Sequence, residues 1–207
     1  MVKGESMEIR GITLRTPLSE NEIIGLRAGD IIYLTGTVVT ARDAAHKRIH
    51  EYLAEGRKIP FNLNGLALFH SGPLAKKANG EWIILAAGPT TSMRMEEYER
   101  EVIERLGPKL IIGKGGMGEN TQRALMEHNA AYAMFTGGAA VLAAKYIKKV
   151  VSVEWMDLGM PEAVWTLEVE GFGPLIITMD AHGNNLVEKI IREAEERKRN
   201  LVLGRRD

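Results

Sequence analysis

The chain has 207 residues, enough for one substantial core, and its 27 Lys and Arg balance its 27 Asp and Glu. Such a balance provides no broad basic face for nucleic acid or an anionic membrane, although a small anion needs only two or three placed cations. With no cysteine, the chain can hold neither a disulfide nor a Cys-ligated zinc or iron–sulfur site of its own. Residues 1–10 are charged and lack the apolar run of a signal peptide, and no stretch of about 18 apolar residues is present. A cytoplasmic location is the default expectation.

In chain order, Ser19-Glu20-Asn21-Glu22 has the form of a capping box and predicts a short helix. Residues 30–39 are rich in β-branched and aromatic side chains and predict a strand. Thr40-Ala41-Arg42-Asp43 then opens a helix to residue 55, stopped by Gly56 and Pro60. Asp43 can serve that cap and pair with Lys47 one turn on. Short apolar runs at 66–69 and 82–87 end in Gly or Pro, and a charged amphipathic helix is expected over 93–106. Beyond it come a strand at 109–112, a helix at 119–128, a strand at 132–135 and a small-residue helix at 139–147. Three more strands are expected at 150–156, 164–169 and 175–179, with Gly171 and Gly173 marking a turn, and a polar helix over 184–199. Helices and strands alternate in the middle while strands cluster towards both ends. This pattern predicts a single mixed α/β domain over 1–207, with a polar helical tail from about 184, rather than a purely parallel doubly wound fold.

Gly113-Lys114-Gly115-Gly116-Met117-Gly118 matches the G-x-G-x-x-G dinucleotide fingerprint between a strand and a helix. The acidic residue that should end the next strand is absent, because that strand runs into Phe135-Thr136-Gly137-Gly138. What remains is a turn with free N–H groups and one lysine, suited to an anion, or a plain tight turn. Arg94 in Gly88-Pro89-Thr90-Thr91-Ser92-Met93-Arg94 and Arg42 both sit in the first turn of an expected helix, where a cation opposes the macrodipole. Arg42, Arg94 and Lys114 thus stand at three strand-to-helix junctions, the edge where α/β domains bind ligands, and arginine geometry suits a carboxylate. His46 and His50 share a helix face but lack the Glu of H-E-x-x-H, so a polar or partner-facing helix is the plainer reading. His70 ends a strand, where it could cap or orient a neighbour, and His182 reads as a turn residue.

These segments together resemble class I fumarases: Thr40 to Arg48, His70-Ser71-Gly72-Pro73, Gly88 to Met95 and Gly113 to Met117, followed by Gly159-Met160-Pro161-Glu162 and Asp180-Ala181-His182-Gly183-Asn184. The resemblance runs in order over about residues 5–190. It implies the swivelling β/β/α domain that forms the C-terminal part of single-chain enzymes or a separate β subunit. It further implies a [4Fe-4S] cluster held by cysteines of a partner α subunit, in a hetero-oligomer, with a homodimer open for the isolated chain. By resemblance Arg42, Thr91, Arg94 and Lys114 bind a dicarboxylate and Thr90 is the catalytic base, with no metal ligand in this chain. The expected reaction is reversible hydration of fumarate to malate. Dehydration of tartrate is the close alternative, a non-catalytic anion-binding scaffold the alternative of another class, and nucleotide binding a distant third.

Overall fold

The structure is a computed structural model and describes residues 11–202. The charged stretch 1–10 lies outside the described residues. The strands are β1 (Ile12–Arg15), β2 (Ile31–Thr40), β3 (Ala67–Phe69), β4 (Leu74–Ala78), β5 (Glu81–Ala86), β6 (Leu110–Gly113), β7 (Ala131–Met134), β8 (Ile147–Glu154) and β9 (Val164–Met179). The helices are α1 (Glu20–Gly25), α2 (Asp43–Ala54), α3 (Glu96–Leu106), α4 (Glu119–Glu127), α5 (Ala140–Tyr146) and α6 (Leu186–Val202). Among the described residues no helix is long and apolar enough to cross a membrane.

The larger sheet runs β1-β2-β3-β6-β7-β9-β8, and a further pairing of β2 with β9 closes β2, β3, β6, β7 and β9 into a ring. β2, β3, β6 and β7 are mutually parallel, whereas β9 runs antiparallel to both β2 and β7. A mixed α/β domain is therefore borne out. Alternation with period two divides the strand side chains between two cores. Val38, Ala67, Phe69, Leu110, Ile112, Ala131, Ala133, Trp165 and Leu167 share one core with Ala75 and Ile84 of the β4–β5 hairpin and Ala143 of α5. Val39, Leu68, Ile111, Tyr132 and Val164 point the other way, to Ala45 and Ile49 of α2, Val102 and Ile103 of α3, and Leu125 of α4.

Several local expectations hold. Ser19 caps α1 in a reciprocal capping box with Glu22. Others need correction. The strands expected at 164–169 and 175–179 are one strand: Gly171 takes a left-handed φ of 61°, and β9 shifts register against β2 there without reversing direction. The chain can continue because β2 accompanies it on one side throughout. The hairpin β4–β5 was not anticipated, although Asn79-Gly80 is a strong two-residue turn signal; both adopt the positive φ that such a turn requires. The helix expected from residue 93 begins as a 3-10 turn, Ser92–Met95, before α3 proper.

Phe172 packs on Phe69, Phe135 and Tyr146 with centroids 5.3, 4.9 and 6.0 Å apart. Truncation of Phe172 to Ala is expected to cost about 3–5 kcal/mol, measured by denaturant unfolding, through the cavity left in that core.

Candidate active site

The parallel strands end in one row. Thr40 pairs with Phe69 and Phe69 with Ile112, so Arg42, His70 and Lys114 emerge from neighbouring strand ends. Arg42 is the N-cap of α2, with extended backbone and no side-chain capping bond. Its Nε lies 2.8 Å from Glu162 Oε1, and the other Glu162 oxygen accepts the Ala44 N–H at 2.9 Å. The helix start is thus satisfied from the loop before β9, a contact between residues 118 apart in sequence.

Asp43 bridges the two arginines, 3.3 Å from Arg42 Nε and 2.7 Å from Arg94 Nε. This corrects the expected Asp43–Lys47 pair and the placing of Arg42 inside the first helical turn. Asp43 stands at the first position of α2, beside the turn that carries Arg94. Burial works to raise its pKa, but its backbone hydrogen bond and the Arg94 and Arg42 charges prevail and hold it below the ordinary value.

The Thr90–Ser92 turn is stitched to two strand ends. The Thr90 N–H donates to the His70 carbonyl at 2.7 Å, and Thr91 forms an isolated parallel bridge with Lys114. The Ser92 N–H donates to the Lys114 carbonyl at 3.1 Å, and the Arg94 N–H to the Thr91 carbonyl at 3.3 Å. Arg42, Thr90, Thr91, Arg94 and Lys114 are therefore brought together along one edge. Thr91, Arg94 and Lys114 are exposed, and Arg42 and Thr90 half-buried. Lys114 has no ion-pair partner among the described residues.

Three N–H groups of the glycine loop are already engaged within the chain, those of Lys114, Gly116 and Gly118. The Gly118 N–H donates to Glu96 at 2.7 Å, and Glu96 also accepts from the N–H and hydroxyl of Thr121. A carboxylate of the chain itself thus occupies the N-terminus of α4, where a pyrophosphate would have to sit. This removes the structural basis of the dinucleotide reading. Gly113 has a separate reason to be glycine: a Cβ there would lie 1.9 Å from Ser92 Oγ.

Beneath the edge lies a polar cluster that sequence reasoning missed. His46, His70, Ser92 and Glu99 are all 0% exposed. Glu99 Oε2 accepts from His46 Nε2 at 3.1 Å and His70 Nε2 at 3.0 Å, and His70 Nδ1 meets Ser92 Oγ at 2.9 Å. The spacing of His46 and His50 pointed elsewhere; His50 is exposed and bound to Glu101 at 2.7 Å. The overlooked signal was Glu99 itself, a charge three and four residues before Val102 and Ile103 on the buried stripe of α3. His46, His70 and Glu99 could ligate a metal, their ligand atoms lying within 4.8 Å of one another, only by giving up these hydrogen bonds.

Burial would raise the Glu99 pKa, but the charges and N–H groups of His70 and His46 bring it down to about 2. Burial also holds the pKa of His70 below its ordinary value, against the pull of the Glu99 charge. Both shifts make the unfolded chain the better proton acceptor in acid. Stability from His70 is complete above its ordinary value of 6.5 and declines below it; stability from Glu99 declines below 4.5. The melting temperature should accordingly fall in two stages between pH 7.5 and pH 3, with the upper stage absent in His70→Gln. Gly113→Ala should destabilise by about 1–3 kcal/mol, because Ser92 must be displaced, which a thermal melt beside the wild type checks.

Comparison with known proteins bears on the same residues. The family model described as Fumarase C-terminus matches residues 1–190. The L(+)-tartrate dehydratase subunit beta of Escherichia coli (strain K12) is 46% identical over 189 residues, 91% of this chain and 92% of the relative. A Methanocaldococcus jannaschii protein, provisionally named as the same subunit, is 42% identical over 186 residues, 89% of this chain and 95% of its own. A Geobacillus stearothermophilus protein, provisionally named fumarate hydratase class I, is 41% identical over 191 residues, 92% of this chain but 36% of its own length. The matched span includes every residue of the edge and of the buried cluster, and the chain belongs to the Fumarase C-terminus family.

Proposed function

We propose that this chain is the β subunit of an iron–sulfur-dependent hydro-lyase that interconverts fumarate and (S)-malate. The observation that carries the reading is the convergence of Arg42, Arg94 and Lys114 beside the Thr90–Thr91 turn on one open edge. Two guanidinium groups and an ammonium suit the two carboxylates of a C4 acid. Exposure of Thr91, Arg94 and Lys114 suits a site completed by a second subunit.

The residues present fit a cluster held elsewhere. The chain has no cysteine, and His46, His70 and Glu99 are buried and bonded to one another rather than offered at the edge. A [4Fe-4S] cluster on the α subunit's cysteines would supply a Lewis-acidic iron for the departing hydroxyl. This chain's part is to grip and to move a proton. Arg42, Arg94 and Lys114 hold the carboxylates and thereby set the substrate's orientation, with Thr91 alongside. Thr90 takes the C3 proton of malate in the dehydration direction. A threonine hydroxyl is a weak base, so the role depends on the neighbouring cations, which favour the alkoxide. The reading carries with it a cytoplasmic hetero-oligomer and the swivelling β/β/α arrangement, which the ring of parallel strands closed by antiparallel β9 supports.

A second reading is dehydration of tartrate to oxaloacetate, favoured by the name of the E. coli relative. Tartrate differs from malate by one hydroxyl, and both need the same carboxylate grip and leaving group.

Anaerobic co-expression with a cysteine-bearing α subunit, assayed on malate and on tartrate, separates the two; turnover of tartrate alone would reject the fumarate reading. In the active complex Thr90→Ala should lower kcat by about 10²–10⁴-fold with little change in KM. Arg42→Ala should lower kcat/KM by about 10²-fold, mainly through KM, corresponding to about 2.7 kcal/mol. Full activity in Thr90→Ala would leave the chain a scaffold.

A further inference from the structure

Burying a carboxylate is costly unless its surroundings hold it, and the grip-and-proton scheme makes no use of Glu99. Glu99 Oε2 accepts from both imidazoles, while Oε1 has no partner among the described residues. Donor accounting then assigns the protons, since an ionised carboxylate and a backbone carbonyl can only accept. His70 carries its proton on Nε2 for Glu99, which leaves Nδ1 an acceptor. Ser92 Oγ accepts from the Tyr132 hydroxyl at 2.9 Å and the Lys114 N–H at 3.2 Å, so its own proton goes to His70 Nδ1. His46 turns Nε2 to Glu99 and Nδ1 to the Arg42 carbonyl at 3.0 Å, two acceptors, and so carries a proton on each nitrogen. An oriented chain of hydrogen bonds thus runs from the Arg42 carbonyl through His46, Glu99 and His70 to Ser92. Fully buried chains of this kind are rigid because no water competes for their links.

Both ends of the chain reach the edge. Arg42 is one end. At the other, His70 holds the Thr90–Ser92 turn twice, by its ring at Ser92 Oγ and by its carbonyl at the Thr90 N–H. We propose that Glu99 is a positioning residue that, through His70 and His46, locks the Thr90–Ser92 turn and the Arg42 helix start in one register. The base and the carboxylate grip then meet the substrate together. This rests on the roles given to Thr90 and Arg42 above. The same accounting disfavours a metal in the cluster: a metal on Nε2 would place the His70 proton on Nδ1, facing a hydroxyl that already has two donors.

Two measurements test the proposal. The first is a long-range ¹H–¹⁵N spectrum of the histidines in the isolated full-length chain, with its zinc content. His70 is expected as the Nε2–H tautomer and His46 as doubly protonated, with both signals moved in Glu99→Gln. A His70 proton on Nδ1, or stoichiometric zinc lost in Glu99→Gln, would overturn the network. The second is kinetics of the α-containing complex at a temperature where circular dichroism shows the variants folded. Glu99→Gln and Ser92→Ala should each lower kcat by about 10–10²-fold, with a much smaller change in KM. Unchanged kcat in either folded variant would reduce the cluster to a purely structural role; Ser92→Ala decides alone if Glu99→Gln does not fold. Full activity in Thr90→Ala would remove the catalytic reading and the positioning role with it, whereas a wrong His70 tautomer removes the network alone.

Discussion

Strand β2 is bonded along one side first to β1 and then to β3, and along the other to β9 over its whole length. That double engagement closes the ring, and much else follows from it. Once β9 connects β2 to β7, the four parallel strands cannot splay, and their ends must lie side by side. Residues that follow different strands, Arg42 after β2, His70 after β3 and Lys114 after β6, then become neighbours although they lie far apart along the chain. Within the ring β3, β6 and β7 are buried on both faces, one towards each core, whereas β9 turns Glu168, Glu170 and Ile176 to solvent.

Charges at the edge differ in how firmly internal pairs hold them. Asp43 orients Arg42 and Arg94, yet the Arg94 side chain remains 51% exposed. Ion pairs that open to water contribute at most about 1 kcal/mol, so Asp43 positions Arg94 without committing it. Arg42 is held more firmly, by Asp43 and Glu162 together, and the loop before β9 thereby reaches the site. Below this wet edge the interactions change character. Glu99, His46 and His70 have no exposed surface, and hydrogen bonds through Glu99 Oε2 join them into one buried network. A partly exposed set of cations thus rests on a buried polar base.

Much of the fold was legible because local rules were followed. The capping box at Ser19, the β-branched run of β2 and the amphipathic stripe of α3 each announce an element without reference to the rest of the chain. The misreadings lie where distant partners intervene. Gly171 and Gly173 look like a turn, but β2 holds β9 extended through them. Asp43 had Lys47 at the right helical spacing and bonds Arg94 instead, a partner on another element.

By itself the sequence determined which residues could carry cations and a hydroxyl, since their types and spacing at strand ends are local facts. It also determined that no cysteine of this chain ligates a cluster. Only the tertiary structure decided that those cations share one edge, because closure of the ring is a pairing of residues as distant as Thr40 and Trp165. It alone decided that the N-terminus of α4 holds Glu96 and not a phosphate, and that His46, His70 and Glu99 form one buried chain. Hydrogen bonds between side chains 29 and 53 positions apart leave no periodicity to read. Their one trace in the sequence is a charge on an apolar stripe.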